Sequence, residues 1–152
     1  MDKVVQAFET MTAHRMNCAQ TVLTVFCEDL GLDNKTALKV AMGFGGGMAR
    51  SGKTCGAATG AYMVLGLAQQ MSLENPREGI DKTYELQRKF NQKFESIHGS
   101  LICKDLIGYD LNTPEGLAEA RAVKVFTSVC PRFVADSVKI LEVIFKSDRL
   151  PG

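Results

Sequence analysis

Cys18, Cys27, Cys55, Cys103 and Cys130 are the residues of this 152-residue chain best equipped for chemistry. A thiol can act as nucleophile, redox carrier or metal ligand, and the thiolate is the working form in each role. Cys55 has the most informative surroundings. The glycine-rich segment FGGGMARSGKT precedes it and GAATGAYMVLGL follows it. The following residues have helical spacing, and Thr54 is a suitable N-cap. Cys55 is therefore expected in the first turn of a helix. Unpaired N–H groups and the positive end of the helix dipole would favour its thiolate there, drawing the pKa from about 8.5 into a range of roughly 3.5–7.5. Gly56 and Gly60 lie four residues apart beside Ala57, Ala58 and Ala61. Such a small-residue face lets a second backbone, itself bearing a cysteine, come close to Cys55.

The stretch GMARSGKT, Gly47 to Thr54, satisfies the phosphate-loop pattern G-x-x-x-x-G-K-[ST]. A working phosphate loop is delivered by a buried strand and continues into a helix. Here the helix is expected, but ALKVAMGFGG before the loop has helical spacing. A second strand ending in a metal-holding aspartate is also missing, since FVAD (Phe133 to Asp136) falls inside a helical period. The expectation is that Lys53 is a solvated charge and that no nucleotide is bound. Arg50 could pair with an anionic centre or substrate, although a solvated arginine is the simpler reading.

The elements that must position these residues read as helices throughout. Val4, Val5, Phe8 and Met11 make the first stripe. Asn17 caps a helix from Cys18 to about Leu30, ended by Gly31, and Asp33 caps a third carrying Ala37, Leu38, Ala41 and Met42. The Cys55 helix should reach about Met71. ENPREG breaks the pattern before a long amphipathic helix, roughly 80–97, and a short turn follows at Cys103. Thr113-Pro114 starts a helix expected to run to about Cys130, where Pro131 breaks or restarts it. No strand alternates convincingly. The fold class is all-α, with residues 1–152 as a single domain, a bundle of about six or seven helices.

Composition narrows the function further. The net charge is +1, from 18 basic and 17 acidic side chains, so no single-sign field is available to gather nucleic acid or an anionic membrane. Trp is absent and aromatics are few, which argues against a base-stacking surface. Polar residues interrupt MDKVVQAFETMTAHR too often for a signal-peptide core, so the expected location is the cytoplasm. Thiols there are normally kept reduced, which favours metal binding or redox chemistry over a disulfide framework. His14 and His98 are read as surface or hydrogen-bonded residues, and the methionines as core filler. No paired carboxylates and no Ser–His–Asp grouping point to hydrolysis.

Cys55-Gly56-Ala57-Ala58-Thr59-Gly60 fits a C-G-A-x-x-G motif, followed directly by AYMVLGL. Cys18 lies upstream in NCAQ, Cys103 downstream in CKDL, and Cys130 just before Pro131. In this arrangement the chain resembles the C_GCAxxG_C_C family of proposed redox-active proteins, over nearly its whole length. The resemblance implies a small helical protein in which Cys18, Cys55, Cys103 and Cys130 act together. Cys27 is outside that set. Nine residues beyond Cys18 on one helix, it is half a turn out of phase and is expected to be a small core hydrophobe.

Four gathered thiolates suit an iron–sulfur cluster for electron transfer or redox sensing, and this is the first expectation. The four are 37, 48 and 27 positions apart with no C-x-x-C pair, which makes zinc less suitable. The second reading is a thiol–disulfide oxidoreductase acting catalytically through Cys55, with a resolving cysteine that the sequence does not name. A third, of another class, is a non-catalytic helical interaction module with buried cysteines. A redox partner protein follows from either of the first two; its identity is open, as is assembly into a homo-oligomer. The shared geometric expectation is that these four sulfurs converge and Cys27 lies elsewhere.

Overall fold

The computed structural model describes residues 2–151. Seven helices of seven residues or more carry the fold among them: α1 (Lys3–Thr12), α2 (Cys18–Phe26), α3 (Asn34–Val40), α5 (Gly56–Leu67), α6 (Pro76–His98), α8 (Pro114–Ala122) and α10 (Cys130–Ser147). Single turns α4 (Gly45–Met48), α7 (Cys103–Ile107) and α9 (Val125–Ser128) complete the order. The described residues hold no strand beyond one isolated antiparallel bridge, Thr54 with Ile102. The chain is thus an all-α helical domain, and none of its described helices is long and apolar enough to cross a membrane.

Local signals place several of these elements. Asn17 caps α2 through a complete capping box, its side chain accepting from Gln20 N–H while the Gln20 side chain accepts from Asn17 N–H, both at 2.9 Å. Asp33 and Thr113 cap α3 and α8 in the same sense, with Pro114 opening α8. The helices close around a core of Leu23, Phe26, Leu65, Leu86, Phe90, Phe94, Leu141 and Ile144. Of the methionines, Met11 joins this core, while Met42 and Met71 are exposed and fill nothing.

α2 and α5 meet along the small-residue seam. A Cβ on Gly56 would stand 2.8 Å from Cys18 Cβ, and one on Gly60 would stand 2.8 Å from the Ala19 carbonyl. Both distances are too short for a side chain, so glycine sets the separation of the two helices. α10 is tied to α5 by Ser137, whose buried hydroxyl donates to the Ala57 carbonyl at 2.7 Å. α1 lies across α10, away from the seam.

Several helix boundaries differ from the sequence expectation: α5 ends at Leu67, not near Met71, α6 begins at Pro76 inside the expected break, and two further differences bear on the cysteines. α5 begins at Gly56, not Cys55, and it is Cys55 that occupies the cap position. Thr54 does not cap, because its backbone pairs with Ile102 in the bridge. The helix expected from Thr113 to Cys130 is also broken. Lys124 adopts a left-handed conformation (φ +55°), α9 is one turn, and Cys130-Pro131 begins α10. Pro131 starts a helix here because its fixed φ and missing N–H are harmless in the first turn.

Candidate redox centre

Four helix beginnings meet at one point. Cys18, Cys103 and Cys130 are the first residues of α2, α7 and α10, and Cys55 is the cap of α5. These four cysteines line one small chamber of about 20 Å³, closed by Gly46, Gly47, Leu106, Ile107, Phe126 and Phe133. Cys27 is elsewhere, fully buried at the end of α2, with its thiol 3.6 Å from the Thr24 carbonyl. None of the five is in a disulfide.

The bridge between Thr54 and Ile102 explains how Cys55 and Cys103 become neighbours. Cys55 N–H donates to the Leu101 carbonyl at 2.8 Å, and Cys103 N–H donates to the Lys53 carbonyl at 2.6 Å. Those bonds join segments that lie nearly fifty positions apart in sequence.

The glycine-rich segment forms a left-handed turn. Gly46, Gly47, Met48, Ala49 and Arg50 have successive φ values of 64°, 67°, 71°, 54° and 64°. For an L-residue this conformation costs about 1–2 kcal/mol, so Met48, Ala49 and Arg50 are each held under strain. The turn brings Gly47 against Cys103: a Cβ on Gly47 would fall 2.6 Å from Cys103 Cβ and 2.7 Å from Lys53 N. The same turn gives the phosphate-loop pattern a local structure of its own. Its N–H groups at Arg50, Ser51, Gly52 and Lys53 already donate to the carbonyls of Gly45, Met48, Gly46 and Gly47. Donors that would cradle phosphate are therefore occupied, and a left-handed turn, not a strand, leads into the motif.

The four thiols are sealed, and the acidity of Cys18, Cys55 and Cys103 is suppressed. Cys18, Cys55, Cys103 and Cys130 are 8%, 4%, 7% and 5% exposed. Cys18 has its pKa raised well above the ordinary value, first by the Cys130 thiol beside it and then by burial. Burial, followed by the charge of Cys18, raises Cys55 well above that value too. Cys103 is pushed up to about 12 by burial and then by Cys18. The expected activation of Cys55 at the helix start is thus corrected. The N–H groups of Ala57 and Ala58 do lower its pKa, but desolvation of a thiolate in this apolar chamber is larger.

A pH profile follows from these shifts. Below a thiol's pKa the thiolate fraction rises about tenfold per pH unit. Alkylation of the reduced, folded protein should therefore keep accelerating with pH through 9, where an ordinary thiol levels off. Cys18, the most exposed of the five, should label first and Cys27 last. Mass spectrometry of time-resolved alkylation measures both; a plateau near neutral pH, or Cys55 labelling first, contradicts the burial argument. The same shifts weaken the fold in strong base. Unfolded thiols ionise near pH 9 and the folded Cys103 only near about 12, so their stabilisation is lost as pH rises across that window.

A wider cleft of about 370 Å³ opens beside the chamber. Cys18, Gly46 and Phe126 line both spaces and form the partition between them. Cys18 is the one cysteine of the described set on the cleft side. On the opposite side of the chamber, Phe133 packs edge-on against the ring of His98, with ring centroids 4.9 Å apart. The His98 side chain is only 5% exposed, so of the two readings, surface or hydrogen-bonded, the surface one does not hold. Its Nε2 lies 2.9 Å from an Asp136 carboxylate oxygen, though without hydrogen-bond alignment. Desolvation lowers its pKa. His14 is exposed and stacks on Phe126 at 5.6 Å. The sequence did not single out Phe126, Phe133 or Arg121, because nothing local marks a residue that reaches the site from α8, α9 or the middle of the first turns of α10.

Comparison with known proteins agrees with the arrangement of the cysteines. A stretch of 97 residues, 59% of this chain, is 30% identical to an uncharacterized protein of Archaeoglobus fulgidus and spans 64% of that protein's length. No solved structure gives a significant match. The family profile described as "Putative redox-active protein (C_GCAxxG_C_C)" matches residues 16–144, a span that holds all four chamber cysteines, and the chain belongs to that family.

Proposed function

We propose that the protein is a thiol redox carrier in which Cys18 and Cys130 exchange two electrons with a disulfide-bearing partner. The observation that carries this reading is the position of Cys18, which faces the outer cleft on one side and the sealed chamber with Cys130 on the other. The Cys18 thiolate attacks one sulfur of the partner's disulfide. That S–S bond breaks, and the released sulfur leaves as a thiolate that takes up a proton. Cys130, deprotonated in turn, attacks the Cys18 sulfur of the mixed disulfide. The second partner thiol leaves, and a Cys18–Cys130 disulfide remains. Two protein thiols and one partner disulfide become one protein disulfide and two partner thiols; the reverse sequence reduces the protein.

The raised pKa of Cys18 has a consequence for this cycle. A thiol that ionises reluctantly reacts slowly when free, but it is a strong nucleophile once ionised. Slow, selective exchange is expected where Cys18 is the attacking thiol, in place of rapid general reductase activity. Cys55 and Cys103 complete the wall of the chamber.

The donor set favours a second reading, a metal centre with an iron–sulfur cluster ahead of zinc. Four thiols on four helix beginnings face one chamber, twice as many as disulfide exchange needs, and helix N-termini offset the charge of thiolate ligands. The space favours it less. About 20 Å³ is little more than one water, and no three acidic, histidine or cysteine side chains among the described residues are grouped tightly enough to hold an ion. A cluster would require the chamber walls to part, so no step is derived through one. Peptide mapping after stoichiometric oxidation of anaerobically purified protein separates the readings. A Cys18–Cys130 disulfide with negligible iron and sulfide supports the carrier; iron and sulfide that are lost together with colour on oxidation overturn it in favour of the cluster.

A further inference from the structure

We infer that the cleft outside Cys18 is a binding site for a small anionic molecule, and that its redox substrate is a low-molecular-weight disulfide carrying carboxylates. The second half rests on the exchange reading above; the first does not. At about 370 Å³ the cleft is in the size range of small-molecule sites. Arg50 and Arg121, from opposite parts of the sequence, converge on it, and His14 adds an imidazole. No carboxylate lines it among the described residues, and neither arginine has an ion-pair partner among them. The two arginines are left facing a cavity with Cys18 in its wall.

Backbone strain points the same way. His14 (φ +50°) and Arg50 (φ +64°) are both held in the left-handed region that non-glycine residues rarely adopt, and both line this cleft. Such strain persists where the surrounding structure imposes it, and it collects at ligand sites. Phe126 and Met42 supply apolar wall, so the site suits a short aliphatic chain with charged ends. Guanidinium groups bind carboxylates through paired N–H donors. A disulfide anchored by its carboxylates would present its sulfurs to Cys18.

The test uses three probes on the reduced 152-residue protein. Suberate is the sulfur-free isostere of 3,3′-dithiodipropionate, and bis(2-hydroxyethyl) disulfide is a neutral disulfide. Calorimetry should show suberate binding that weakens with added salt, and that falls about tenfold or more in Arg50→Gln and Arg121→Gln. Oxidation of the protein by 3,3′-dithiodipropionate should outpace oxidation by the neutral disulfide, and the two arginine variants should erase that preference. Circular dichroism of the variants checks that they fold. Absence of suberate binding to the wild type, or equal binding by both variants, overturns the anion site. Suberate binding with oxidation by the neutral disulfide but not faster oxidation by the dianionic one upholds the anion site and overturns the substrate assignment; oxidation by neither disulfide overturns the exchange reading as well.

Discussion

Gly47→Ala should destabilise the protein by about 2–5 kcal/mol, the largest stability effect expected of any single methyl group near the redox centre. Two costs add. An alanine at φ +67° is in the left-handed region, at about 1–2 kcal/mol. Its methyl would also fall 2.6 Å from Cys103 Cβ and 2.7–2.8 Å from the Lys53 backbone nitrogen and oxygen. These atoms are tied in place, since Cys103 N–H bonds to Lys53 carbonyl and Lys53 N–H bonds to Gly47 carbonyl. Overpacking against backbone costs about 1–3 kcal/mol. Gly43→Ala is the control: nothing lies within 4 Å of a Cβ there, and its φ is outside the left-handed region. Thermal unfolding of the reduced proteins should show a fall of about 2–4 °C per kcal/mol for Gly47→Ala and little change for Gly43→Ala. Equal midpoints would mean that the left-handed turn does not seat against Cys103 in solution.

Cys18→Ser should lower the rate of exchange with small disulfides by about 100-fold or more, because a hydroxyl cannot replace the attacking thiolate. The variants around it should fail in different ways. Cys130→Ser should still be attacked into but stop as a mixed disulfide at Cys18, visible as a mass increase equal to half the probe. Cys27→Ala should exchange at the wild-type rate, since its sulfur is outside the chamber, although it leaves a small cavity in the core. Cys55→Ser should retain measurable exchange. Loss of exchange in Cys55→Ser, with Cys18→Ser active, would return the nucleophile to the residue favoured by the motif and overturn the assignment to Cys18.

Much of this protein is written locally in its sequence. Its helices follow from apolar spacing, the caps at Asn17, Asp33 and Thr113, and the prolines at 114 and 131, all of which act within a turn or two of chain. Its cysteine set is legible through the CGAxxG motif and the three cysteines around it. Cys27 separates from them by helical phase alone. The small residues Gly56 and Gly60 announce a close helix contact, and Ala19 of α2 occupies it.

Tertiary structure alone decided the rest. Acidity at Cys55 depends on the competition between helix N–H groups, which are local, and desolvation, which is set by Leu106, Ile107, Phe126 and Phe133 closing over the chamber from distant segments. A sequence window contains the first effect and not the second. Thr54 is a good cap by type, yet its backbone is drawn into pairing with Ile102, nearly fifty residues away. The run of left-handed residues from Gly46 to Arg50 is allowed by its glycines, but Met48, Ala49 and Arg50 adopt it only because contacts with Cys103 and Lys53 hold the turn. Which cysteine meets the outside was equally hidden. All four stand at helix beginnings, and only the packing of Gly46 and Phe126 beside Cys18 leaves that one cysteine lining the arginine-bearing cleft.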